Sequence, residues 1–126
     1  MENVTMQTRN LSFLLSEAAG QRSRNAGTIA SGAGKLAPGT VLGKVTASGE
    51  YIPSTAASVV GKEGAETAVA ILAYGVDATD EAVEVAIIDR DAEAKLPMLS
   101  FDASVDDQTK TDAKVAQLDA VGIRVR

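Results

Sequence analysis

Between Ala68 and Tyr74 the chain reads AVAILAY, an almost unbroken apolar run in a sequence otherwise cut up by Gly, Ser, Pro and charge. The run is too short for an independent helix and includes β-branched Val69 and Ile71, so it reads as a strand. Its apolar side chains fall on both faces, which suits a strand buried on both sides. The fold must therefore supply cover for two faces of one strand. Material for that cover is limited. The 126 residues include two Phe, two Tyr and no Trp, so the core rests on Val, Ile, Leu and Ala. Such a core buries little area per residue. A chain of this length makes one domain, or one small domain with a tail, and gains stability by oligomerising.

The rest of the chain supplies short strands. Leu11–Leu15 and Thr28–Ala30 read as extended pieces, and Gly20 sits in a turn-like AAGQ. Val41–Thr46 and Tyr51–Ile52 form a hairpin around Ser48-Gly49. Residues 54–66 are small and polar, hence a loop. Asp77–Glu81 turns the chain. Ala82–Asp89 alternates, with Val83, Val85 and Ile87 on one face and Glu84, Ala86 and Ile88 on the other. Lys95–Phe101 is a third strand that Pro97 confines to an edge or bulge. One helix follows, capped by Ser104 with Asp107 three residues on, running to about Ala120 and closed by Gly122. Its apolar positions do not form one stripe, which fits a helix packed on two sides. Ile123–Val125 is a last short strand.

Charge is divided unevenly. Through Lys35 the chain carries four basic residues and two acids; the remainder carries eight basic and fifteen acidic. A mildly basic arm on an acidic body suggests docking rather than catalysis. Within that arm Leu11, Phe13 and Leu15 share one face of an extended chain and can fill a pocket. Arg22 and Arg24 flank Ser23, and period two puts both guanidiniums on one face, aimed at acidic groups on a partner. The alternative for this pair is a solvated strand face.

Reactive chemistry is hard to find. Without His or Cys there is no Ser-His-Asp triad, thiolate or disulfide. Gly39 to Lys44 is one residue short of a phosphate-binding loop and lacks the following Ser or Thr. The clusters Asp77, Asp80, Glu81 and Asp89, Asp91, Glu93 lack the spacing and central Gly of a calcium loop. No run approaches the roughly 20 apolar residues of a membrane span, and no signal peptide is visible. A sequence pI of 4.6 argues against nucleic acid as the main partner. The expectation is a non-enzymatic chain with no cofactor and no metal.

The runs FLLSEAAGQRSRNAGTIASG and LAPGTVLGKV, then AVAILAYGVDAT, VAIIDRDAEA and the closing LDAVGIRVR resemble the head decoration proteins of lambda-like tailed phages. The resemblance spans roughly Phe13 to Arg126. It implies a mainly β fold with one C-terminal helix, a β-clip-like small domain with an extended N-terminal arm. Residues 1–25 would be the arm and 26–126 the decoration domain. It further implies a homotrimer on three-fold and quasi-three-fold positions of the expanded capsid. The partner would be the major capsid protein, and the place the outer surface of a virion made in the host cytoplasm. Whether Leu11–Leu15 belongs to arm or body stays open at this level. The competing reading is a displayed β-rich adhesin or carbohydrate-binding module, for which two tyrosines, Tyr51 and Tyr74, make a poor sugar platform.

Overall fold

A computed structural model describes residues 11–18 and 23–126. The expected turn at Gly20, and Arg22, lie outside the described residues, as do Met1–Asn10. Five strands close a small barrel: β2 (Arg24–Ile29), β4 (Val41–Lys44), β5 (Tyr51–Pro53), β6 (Ala68–Leu72) and β8 (Val83–Ile88), in the order β2-β5-β4-β6-β8. A second sheet has the order β1-β9-β10, from β1 (Leu14–Glu17), β9 (Ala92–Ala94) and β10 (Ile123–Val125). A ribbon pairs β3 (Gly34–Leu36) with β7 (Val76–Ala78), and helix α1 spans Gln108–Ala120. The architecture is mostly β with a single C-terminal helix among the described residues. Nothing in it conflicts with a β-clip-like small domain.

The strand β6 does what its composition requires. Ala70 and Leu72 join Ile29, Leu42, Ala78 and Ile87 in one buried cluster. Ala68, Ile71 and Ala73 join Phe13, Val41, Ile88, Ala92, Ala94, Leu118 and Ile123 in another. Ala68 and Ala70 are two apart, yet they enter different clusters. The reason is a bulge: Leu42 faces Ala70 and Gly43 faces Ala68, so Val69 is the extra residue. The faces of β8 separate as the alternation predicts. Val83, Val85 and Ile87 pack with the first cluster, Ala86 and Ile88 with the second.

The hairpin of β4 and β5 forms with Gly43 opposite Ile52, and Gly49 takes φ +74° in its turn. Two expectations are corrected. Lys95–Phe101 is not a strand: Leu96–Met98 is a 3₁₀ turn with Pro97 inside it, and extended structure lies before it in β9. Proline has no N–H for a ladder, whereas the first positions of a helical turn need none. The cap of α1 is Asp107, whose Oδ1 accepts from the Lys110 amide at 2.8 Å. Ser104 is occupied elsewhere. Its hydroxyl donates to Asp102 Oδ2 at 2.6 Å and accepts from the Ala56 amide at 2.9 Å. Gly122 ends the helix as expected, at φ +89°.

The loop between β5 and β6 is held by a buried cation. Lys114 is 1% exposed. Its ammonium donates to Thr55 O and Glu66 O, both at 2.6 Å, and to Ser54 Oγ at 3.0 Å. The Ser54 hydroxyl donates in turn to Ala65 O at 2.8 Å. One turn along the helix, Gln117 Oε1 accepts from the Ala68 amide at 2.8 Å, fixing the start of β6. Burial pushes the lysine pKa below its ordinary value, against the opposing pull of Glu66 and Asp102. The loop lies so close to β4 that a Cβ on Gly43 would fall on the Ala65 carbonyl, which is why glycine stands there. Replacing Lys114 by Met should leave the Thr55 and Glu66 carbonyls unpaired in a buried site. Each such loss costs about 1–3 kcal/mol, so we expect chemical denaturation to show roughly 2–4 kcal/mol of destabilisation. A change below about 0.5 kcal/mol would show that water can replace the ammonium.

Candidate functional site

Leu11–Leu15 does not form the single extended piece that alternation suggests. Leu11 has φ +61°, and the Leu14 amide donates back to Leu11 O at 3.0 Å. This turn separates Phe13 from Leu15. Phe13 is fully buried in the core, with its carbonyl accepting from the Lys95 amide at 2.7 Å. Leu11 is half-buried against the same cluster, and its amide donates to Ala73 O at 3.1 Å. Leu15 alone of the three faces out, 46% exposed. The shared face expected for Leu11, Phe13 and Leu15 is therefore not formed, because the turn interrupts the period-two alternation on which it depended.

From Leu14 the chain becomes β1, at the edge of its sheet. It pairs antiparallel with β9, Leu14 opposite Ala94 and Glu17 opposite Ala92, with an irregularity between Leu14 and Ser16. Ser23 fastens the return from β1 to β2. Its fully buried hydroxyl accepts from the Ala18 amide and donates to Asp91 O, both at 2.8 Å. The sequence pattern treated Ser23 only as a spacer between two arginines. Its small size and its position between charged neighbours were the available signal, and a weak one.

Arg24 is engaged inside the chain. Its Nε donates to Glu17 Oε2 at 2.9 Å and its Nη2 to Glu17 Oε1 at 2.8 Å, a two-pronged pair across β1 and β2. Nη1 reaches the Tyr74 hydroxyl at 3.2 Å. These hydrogen bonds hold the Glu17 carboxyl below the usual carboxylate range and raise the arginine further. Around this bracket lie two open depressions. One, of about 600 Å³, is lined by Arg24, Asn25, Tyr74, Glu84 and their neighbours. The other, about 440 Å³, lies along Ser16, Glu17, Asp91, Glu93 and Arg124.

Asp77, Tyr51 and Lys44 have structural employment. Asp77 Oδ1 accepts from the Thr79 amide at 3.1 Å, closing a turn. Tyr51 covers Gly27, where a Cβ would come within 2.8 Å of its ring, and Lys44 stands 5.9 Å from the ring centroid. Among the described residues no three His, Cys, Asp or Glu side chains come together in a way that could hold a metal. No helix among them is long and apolar enough to cross a membrane.

The edge strand β1, with exposed Leu15 and beside the Glu17–Arg24 pair, leaves backbone groups unpaired at the surface. The family model of the bacteriophage lambda head decoration protein D matches residues 3–123, and the chain belongs to that family. The family is one of structural proteins of the phage head, and membership places the chain on the capsid. No curated protein sequence matches the chain.

The Glu17–Arg24 pair has a pH signature. A carboxylate with a depressed folded pKa contributes stability above its unfolded pKa, about 4.3 for Glu. That contribution is lost as the pH falls through the lower folded value. Acidification below about pH 4 should therefore loosen the bracket between β1 and β2, read as lower amide protection factors at Leu15–Glu17 while the barrel stays protected. Glu17→Gln should show the lower protection factors already at neutral pH and little further change in them in acid.

Proposed function

We propose that this chain binds the expanded capsid lattice of a tailed phage as a homotrimer, at three-fold and quasi-three-fold positions, and stabilises the head without catalysis. The major capsid protein is the partner, and the outer surface of the virion is the place of action. The chain itself is made in the host cytoplasm. The observation that carries this reading is the family match over residues 3–123, joined to an edge strand that offers backbone for pairing. A trimer presents three such edges together, so weak single contacts add up to firm attachment.

Within this reading the docking element is the segment before Leu11 continued by the exposed side of β1, with Leu15 as its apolar contact. Main-chain hydrogen bonds from a sheet edge supply affinity, and a side chain such as Leu15 supplies register. Phe13 supports this surface from beneath. Arg24 holds Glu17 and thus the pitch of β1, and Arg22 is assigned to acidic groups of the capsid. The arm proper is then shorter than residues 1–25.

Decoration of expanded heads that lack the protein tests the assignment. Leu15→Asp should abolish decoration and leave the thermal midpoint nearly unchanged. Phe13→Ala should instead destabilise the free chain by about 3–5 kcal/mol, the usual loss for a buried Phe. Removing Met1–Asn10 should cost decoration and leave the fold intact. Normal decoration by the Leu15→Asp variant would move the contact away from β1.

A further inference from the structure

The strongest unassigned surface lies between α1 and β10. Lys114, Gln117 and Leu118 turn that helix toward the loop and the core. Asp112, Val115, Ala116 and Asp119 recur at i, i+3, i+4 and i+7 on a different face, two residues and hence about 200° around the helix. With Arg124, Val125 and Arg126 they line an open groove of about 600 Å³. Val115, Ala116 and Val125 are its apolar lining. Asp112 and Asp119 of the helix and Arg124 and Arg126 of the strand are its charged lining. The helix composition asks for packing on two sides, and one chain covers only one of them.

A matching projection exists elsewhere on the molecule. Residues 59–62 make a tight turn, closed by the Lys62 amide donating to Val59 O at 2.9 Å, with Gly61 at φ +83°. Glu63 Oε1 accepts from the Gly61 amide at 3.1 Å and braces the turn from within. Val60 at its apex is 96% exposed, the most exposed large apolar side chain among the described residues. The base of this loop is fixed by Lys114, Ser54 and the close approach of Ala65 to Gly43. An apolar apex on a braced turn is already ordered before it meets a partner, which keeps the entropy cost of contact low. Lys62 beside it has no salt-bridge partner among the described residues, and neither has Asp119 of the groove.

We propose that subunits meet by seating the Val59–Lys62 turn of one copy in the α1/β10 groove of the next, with Lys62 against Asp119. This rests on the homotrimer reading above and names the surfaces that would build it. Projection and groove lie on different parts of the chain, so the contact is head-to-tail, the kind that closes a ring when the rotation permits. The apolar part of the lining receives Val60, and the charged part fixes its register.

Two exposed positions test the contact with little risk to the fold. Val60→Asp and Ala116→Glu should each weaken self-association at least about tenfold in sedimentation over a concentration series, with unchanged circular dichroism. Lys62→Glu and Asp119→Lys should each weaken it, and the double variant should recover most of the loss. Variants that stay as trimeric as the parent overturn this interface while leaving the trimer reading intact. A parent chain that is monomeric at every concentration, free and on heads, overturns the trimer reading itself. Trimeric Val60→Asp protein that no longer decorates heads would assign the turn to the capsid lattice and likewise overturn the proposal.

Discussion

The ammonium of Lys114 ties helix α1 to both ends of the loop between β5 and β6. Burying a charge costs several kcal/mol even after relaxation, unless the interior answers with well-placed acceptors. Here Ser54, Thr55 and Glu66 supply oxygens between 2.6 and 3.0 Å. All three belong to the chain joining β5 to β6. The helix therefore holds both ends of that loop with one side chain, and Gln117 holds the first amide of β6. An apolar residue at 114 would fill the space but would fix no register. The cation costs solvation and sets where the loop lies.

Around that tie the barrel depends on β6 serving two cores. The bulge at Val69 lets successive alanines face opposite ways, so a strand of five residues contributes to both clusters. Small side chains make this possible. Ala68, Ala70 and Ala73 are all fully buried, and Gly43 lets the Ala65 backbone lie directly on β4. An aromatic-poor composition is thus matched to closely approaching backbones. What the side chains lack in area, the main chain makes up in proximity.

These features differ in how legible they were from the residues alone. The run 68–74, the hairpin around Gly49, the two faces of β8 and the end of α1 at Gly122 follow from local rules, and the structure has them. Lys114 was invisible because a helical lysine ordinarily reads as solvated. Its signal was indirect: it stands four residues before Leu118, where an apolar residue completes an inward face. Phe13 was placed on the face of Leu15 because alternation assumes an extended chain, and the turn at Leu11 breaks it. The start of α1 was misplaced because Ser104 and Asp107 both qualify as caps, and only the tertiary contact with Ala56 withdraws Ser104. Arg24 reads as a free donor until the return from β1 to β2 brings Glu17 beside it. Each miss is a case in which a partner distant in sequence decided the role of a residue.

The closed barrel also determines where recognition can take place. Closure leaves the barrel few free edges, the main one being along β2, which meets β5 only at Ile29 and Tyr51. The second sheet is open at both sides, at β1 and at β10. The first carries Leu15 and follows the segment that leads from the N-terminus. The second lies beside the groove under α1. On the reading proposed above, the chain needs separate places for the lattice and for its own copies. The second sheet offers two, with β9 between them, which is the physical reason to look for both contacts there first.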